Sequence, residues 1–116
     1  ERKDGTLLAI SREVMTASES RDGGVTWSTP RPLDFAGHCP CLHRTPEGVL
    51  LLAHRLPGTA LHFSEDEGRS WRGPVPIDTV IGAYPSMVTL RNGQTLCLYY
   101  EEGTGSGIRA ATLRVE

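Results

Sequence analysis

The sequence predicts an all-β chain of the β-propeller kind, and three observations carry that expectation. Its apolar stretches are short and bounded by turn residues: TLLAIS at 6–11, GVLLLAHR at 48–55, TLCLYY at 95–100 and IRAATLRV at 108–115. No segment sustains a 3.6-residue amphipathic pattern over the roughly ten residues a helix needs. The phrase SRDGGVTW, Ser20 to Trp27, returns 44 residues later as SEDEGRSW, Ser64 to Trp71. A period of this length built from several short strands marks repeated small antiparallel sheets, the blades of a propeller.

The elements follow in order. KDG turns the chain into the strand at 6–11. SREVMTASES, 11–20, is the one stretch where a helix competes, but Val14, Thr16 and Ser18 alternate and a strand fits the neighbouring pattern better. After the first repeated phrase come Pro30 and Pro32, and after the second Pro74 and Pro76, each pair at the same distance from its tryptophan. HCPCLH, His38 to His43, reads as a strand whose alternation puts Cys39, Cys41 and His43 on one face and His38 on the other. Three candidate ligands crowded on one strand lack the separated pairs of structural zinc, so no metal is expected there. PEG opens the strand at 48–55 and RNG the strand at 95–100. The turn glycines Gly5, Gly48 and Gly93 are 43 and 45 residues apart, and seven residues after each stands Arg12, Arg55 or Tyr100. These spacings divide the chain into units of about 1–36, 37–81 and 82–116: two complete four-stranded units and the first three strands of a third, about two and a half blades. Such a sheet cannot bury both faces alone. The chain is therefore expected to pack against remaining blades of a longer ring or against copies of itself.

Composition narrows the partners. The chain has 116 residues, 38% hydrophobic and 22% charged, with 12 Lys+Arg against 14 Asp+Glu and a net charge of −2. That balance offers no basic footprint for nucleic acid or an acidic membrane surface. No apolar run approaches the roughly 18 residues that cross a bilayer. The chain opens at Glu1 rather than Met and shows no basic-then-apolar stretch, which reads as a processed protein or an excised piece. Three cysteines are too few, and odd in number, for a disulfide framework.

The repeated phrase is Ser-x-Asp-x-Gly-x-Thr/Ser-Trp. Its aspartate, Asp22 or Asp66, can accept hydrogen bonds from the backbone of its own turn. Gly24 and Gly68 permit positive φ, and Trp27 and Trp71 cover the turn with a large apolar face. Everything in it serves a rigid hairpin. With Ser20 and Ser64 it resembles the Asp box, or bacterial neuraminidase repeat, of the sialidase superfamily of six-bladed β-propellers, where the box folds a turn remote from the active site.

The resemblance continues outside the boxes. ERKDGTLLAISR is similar to the sialidase stretch that ends in a carboxylate-binding arginine, here Arg12. Arg55, ahead of the second box, stands where another arginine of that triad is placed. Tyr84, in GAYPSMVTLRNG, occupies the place of the nucleophilic tyrosine. The resemblance covers nearly the whole chain and corresponds to the later part of a sialidase domain. It implies retaining release of terminal sialic acid through a tyrosyl–glycosyl intermediate, with a sialylated or other acidic glycan as partner and no cofactor.

Residue chemistry agrees with that assignment. Arginines at one position of consecutive units are brought round a common axis, and two guanidinium forks suit a carboxylate. A neutral phenol avoids repulsion with an anionic sugar, but needs a carboxylate base. The family's Leu-Tyr-Glu is met by Leu98-Tyr99-Tyr100-Glu101. Alternation puts Tyr100 on the expected face and Glu101 on the other unless a bulge intervenes, so Glu101 is carried as a candidate. The family's first arginine, its loop aspartate and the glutamate that activates the tyrosine have no match here, so this chain alone is expected to be inactive. His54 and His62 read as strand residues, not acid/base groups. The rival readings are a non-catalytic sialidase-like propeller that binds glycan or protein, and a structural module that assembles with its own copies.

Overall fold

Every regular element in the computed structural model is a β-strand; residues 1–12, 14–56 and 58–116 are described. The strands are β1 (Leu7–Ser11), β2 (Val14–Ser20), β3 (Arg31–Ala36), β4 (His38–Arg44), β5 (Leu50–Arg55), β6 (Gly58–Ser64), β7 (Arg72–Thr89), β8 (Thr95–Glu101) and β9 (Ile108–Leu113). The strands expected at 6–11, 48–55, 95–100 and 108–115 are present with slightly different ends, and residues 14–20 of the ambiguous stretch are extended.

Strands β1, β2 and β3 form one antiparallel sheet, and β4 to β9 form a second in sequential order. Residues 1–36 thus supply three strands, not the four of a complete unit. The 18-residue strand β7 belongs to two ladders: Arg72 to Ile81 pair with β6, and Gly82 to Thr89 pair with β8. The six-stranded sheet curls into a half-barrel, which brings β4 against the far half of β7. There His43 Nε2 lies 2.9 Å from Thr89 Oγ1, and the Met87 amide donates to the Cys41 sulfur.

The three glycine turns are copies of one another. The amides of Gly5, Gly48 and Gly93 donate to the carbonyls of Arg2, Thr45 and Leu90 at 3.0, 2.9 and 3.0 Å. Their φ values of 86, 90 and 83° lie in the left-handed region open to glycine. The turn sets where the next strand starts, so residues a fixed distance beyond it reach equivalent ends of successive strands.

The repeated phrases are also copies. Ser20 Oγ accepts from the Gly24 amide and Ser64 Oγ from the Gly68 amide, both at 2.8 Å. Asp22 Oδ1 accepts from the Thr26 amide at 2.9 Å and Asp66 Oδ1 from the Ser70 amide at 2.8 Å. The Thr26 and Ser70 hydroxyls donate to the second carboxylate oxygens. Those bonds, hydroxyl first, hold both carboxyls down to about 2. Trp27 Nε1 donates to Gly24 O at 3.0 Å, and Trp71 packs on the core beside Gly68.

Two apolar layers join the units. Met15, Ala17 and Leu33 pack with Leu52, flanked by Leu8, Ile10, Phe35, Leu42 and Trp71. Ala53, Cys97 and Tyr99 form the second, with Met87, Ala111 and Leu113. A fully buried Leu52 contributes about 1.5–3 kcal/mol by removal from water. Glu67 links the second unit to the first: Arg44 of its own unit holds its carboxylate through two nitrogens at 2.7 and 2.9 Å. The Lys3 amide donates to the same carboxylate at 2.9 Å.

Candidate functional site

Arg12 follows β1, Arg55 ends β5 and Tyr100 lies near the end of β8, all seven residues past a glycine turn. The repeated phrases cap the opposite ends, since Ser20 pairs with Leu7 and Ser64 with Leu50 at the starts of β1 and β5. Five strand residues at roughly 3.3 Å each separate the two ends by about 17 Å. Asp22 and Asp66 are therefore committed to their turns and stand apart from the arginines.

At the arginine end two strands carry matching irregularities. His38 pairs with Arg55, and the register slips before Cys41 pairs with Ala53. Ala83 pairs with Tyr100, and the register slips before Ser86 pairs with Leu98. Inside each slip sits one residue with positive φ, Cys39 at 53° and Tyr84 at 46°, followed by Pro40 or Pro85. Proline has no amide to give the ladder, so the pairing breaks there and the preceding side chain is re-aimed. Left-handed backbone in a non-glycine residue costs energy and gathers at functional sites.

The alternation expected along HCPCLH fails at this bulge. Cys39 is buried among arginines, Cys41 faces the Met87 amide and His43 meets Thr89, so the three do not converge. Among the described residues no group of three or more His, Cys, Asp or Glu side chains could hold a metal ion.

Around the Cys39 sulfur the structure brings together three of the sequence candidates. Arg12 Nη1 donates to Sγ at 3.8 Å, the Arg55 guanidinium hydrogen-bonds it, and the Tyr84 amide points at it. Burial pushes this thiol up, but the Arg55 and Tyr84 hydrogen bonds and the charges of Arg55 and Arg12 together bring it below the ordinary thiol value. The other two thiols move the opposite way: burial raises Cys41, and burial followed by its neighbour Cys41 raises Cys97 to about 11. The Tyr84 side chain is 58% exposed, its ring 6.2 Å from Tyr100 and inclined by 19°.

Glu101 does not join them. Its carboxylate faces Arg109, with Oε2 3.5 Å from Nη1, because β8 keeps its alternation through Tyr100. The next residue, Glu102, braces Arg55 instead, with Oε2 3.2 Å from Nη1. Arg55 Nε remains buried without a hydrogen-bond partner. His54 and His62 lie inside the protein: Nε2 of one is 2.8 Å from Nδ1 of the other, and Phe35 stacks on His62 with centroids 3.6 Å apart.

Cys39 and Glu102 are the two members of the cluster that the sequence reading passed over. Cys39 had a signal: GHCPC at 37–41 and GAYPS at 82–86 are 45 residues apart, so Cys39 is the counterpart of Tyr84 one unit earlier. Glu102 had none, since its reach depends on how β8 ends. A separate groove of about 380 Å³ lies between the second and third units, against Leu51, Leu61, Phe63, Val75 and Leu113. It contains no residue of the arginine cluster. No helix is long and apolar enough to cross a membrane among the described residues.

No family profile matches the chain, and no curated protein matches it. It is similar to a solved structure from Dyadobacter fermentans, described as a protein of unknown function, at 22% identity and a TM-score of 0.75. The likeness covers 97% of this chain and 35% of that one, so the chain spans about a third of that protein's length and the two have an all-β fold in common.

Proposed function

We propose that this chain is part of a six-bladed β-propeller of the sialidase type, and that its arginine cluster binds the carboxylate of an acidic sugar. The units are then blades, with β7 serving as the outer strand of one and the inner strand of the next. The observation that carries the reading is the convergence of Arg12 and Arg55, from the same place in consecutive units, on one sulfur. A carboxylate offers two acceptor oxygens to such a pair of forks. Tyr84 stands exposed beside them and is the proposed nucleophile of a retaining cleavage of terminal sialic acid. As a neutral phenol it approaches an anionic sugar without charge repulsion. Its attack requires a base, and the two carboxylates near the end of β8 are engaged by Arg109 and Arg55. Glu101 is therefore not assigned that role.

That engagement favours a second reading for this chain by itself: a glycan-binding face in which the Tyr84 and Tyr100 rings support the sugar while the arginines hold its acid group.

Two measurements test these readings. NMR titration of the chain with N-acetylneuraminic acid should shift the amides of Arg12, Cys39, Arg55 and Tyr84, whereas N-acetylmannosamine, which lacks the carboxylate, should leave them in place. Equal shifts with both sugars, or none with either, remove the clamp. For the enzyme reading, the intact protein should cleave a fluorogenic sialoside and Tyr84→Phe should lower kcat by orders of magnitude. An unchanged rate in that variant rejects Tyr84 as nucleophile and leaves the binding reading standing.

A further inference from the structure

The Cys39 sulfur occupies the position between Arg12 and Arg55 that the proposed clamp reserves for a ligand's acid group, and no step above uses it. Its setting differs from that of the other cysteines in geometry as well as acidity. Cys97 is fully enclosed by the second apolar layer. Cys39 sits at a strand end beneath Arg12, a residue exposed to solvent, in contact with two cations and a backbone donor. A second observation stands apart from the sulfur. Arg55 Nε is a buried donor atom with no hydrogen-bond acceptor, on a guanidinium that Glu102 engages through Nη1. A thiol presents one weakly accepting atom to the Arg12 and Arg55 guanidinium groups; an oxyanion would present more, and stronger ones.

We propose that Cys39 is a site of oxidative modification by hydroperoxides, whose oxygen-bearing product is held by Arg12 and Arg55. The sulfur attacks the terminal oxygen of the peroxide; an S–O bond forms and the O–O bond breaks. Cys39 is oxidised by two electrons to the sulfenic acid, and the peroxide is reduced to water or an alcohol that carries away the thiol proton. A second equivalent gives the sulfinic acid by the same balance. Either product, once ionised, is a covalently attached anion between the two guanidinium groups. Resting on the acidic-sugar reading, it would occupy the clamp and exclude a ligand carboxylate.

The chain is treated with hydrogen peroxide at pH 7 in the presence of dimedone, and each cysteine peptide is quantified by mass spectrometry over time. Cys39 should be labelled at least ten-fold faster than Cys41 and Cys97, and guanidinium chloride should abolish the difference. Arg12→Gln, a change at an exposed position whose fold is checked by circular dichroism, should slow Cys39 labelling several-fold. Equal labelling of the three cysteines in the folded chain, or a Cys39 rate indifferent to Arg12→Gln, overturns the proposal. N-acetylneuraminic acid titration of unoxidised chain, run beside it, separates the two ideas: lack of binding there rejects the sugar reading, while the labelling rates judge Cys39 independently.

Discussion

Lowering the pH from 7 to 4 should weaken this fold by about 3 kcal/mol through one buried side chain, His54. The ring is 4% exposed, shares a hydrogen bond with His62 and lies beside Phe35. Burial, followed by the charge of His62, lowers its folded pKa from 6.5 to about 4. The unfolded chain therefore takes up a proton near pH 6.5 while the folded chain still refuses one. Unfolding binds a proton in that window, so stability falls as pH drops from about 6.5 and levels off below about 4. The gap between those values, converted at about 1.36 kcal/mol per pH unit, gives about 3 kcal/mol. His62, lowered by burial, acts in the same direction. Carboxylates held low by their partners, Asp66 and Glu67 among them, lose their contribution only once the pH approaches the unfolded carboxylate values near 4. The two effects therefore separate. Urea unfolding from pH 7.5 to 4.5 measures the slope, which should reach about 1.4 kcal/mol per pH unit near pH 5.3. His54→Gln, which cannot titrate there, should flatten most of it. A variant with the same slope as the parent chain refutes the reasoning.

Other outcomes follow from the same contacts. Asp66→Ala removes three acceptor contacts of the second box and should lower stability by about 1–3 kcal/mol in urea melts; Asp22→Ala, on an exposed turn, should lower it less. Glu67 has a φ of 64° as well as its Arg44 pair. Glu67→Ala and Glu67→Gly both lose the pair, so glycine should be the more stable by about 1 kcal/mol, the relief of left-handed backbone. A methyl at Gly82 would overlap Thr59 Oγ1. Gly82→Ala should therefore cost about 1–3 kcal/mol, and Thr59→Ala should recover much of it in the double variant. Equal costs in the single and double variants would mean that this contact is not what the glycine avoids.

The sequence made the fold class legible because its cues are local. Gly5, Gly48 and Gly93 each specify one turn, and the turn carries the register with it into the next strand. The box aspartates specify hairpins by the same logic. What stayed hidden was non-local. Nothing in 72–89 announces a single strand serving two ladders, since that depends on partners on both sides of Gly82. Glu102 was hidden for a related reason: alternation indexes faces along a strand, and Glu102 lies just beyond the end of β8. The error over Cys39, Cys41 and His43 was different. Strict alternation was applied across Pro40, where a missing amide made a bulge foreseeable.

That bulge also explains why the candidate chemistry gathers at one end of the strands. A regular strand end leaves its last side chain on the face that alternation assigns, so Arg12 and Arg55 alone would stand in a row with nothing facing them. The slips before Cys41 and Ser86 each insert a residue with positive φ into that row, turning Cys39 toward the arginines and aiming the Tyr84 amide at its sulfur. The Gly48 and Gly93 turns close these two hairpins, β4–β5 and β7–β8, at the far end. Replacing Pro40 or Pro85 with alanine tests this account. The restored amide can re-enter the ladder, and the residue before it should return to the regular register, which for Pro40→Ala takes Cys39 out of contact with the guanidinium groups. In Pro40→Ala the Cys39 thiol should then titrate nearer its ordinary value, read from iodoacetamide alkylation rate against pH. If the pH profile of Cys39 is unchanged, the bulge is not set by proline and the arginines alone hold the sulfur in place.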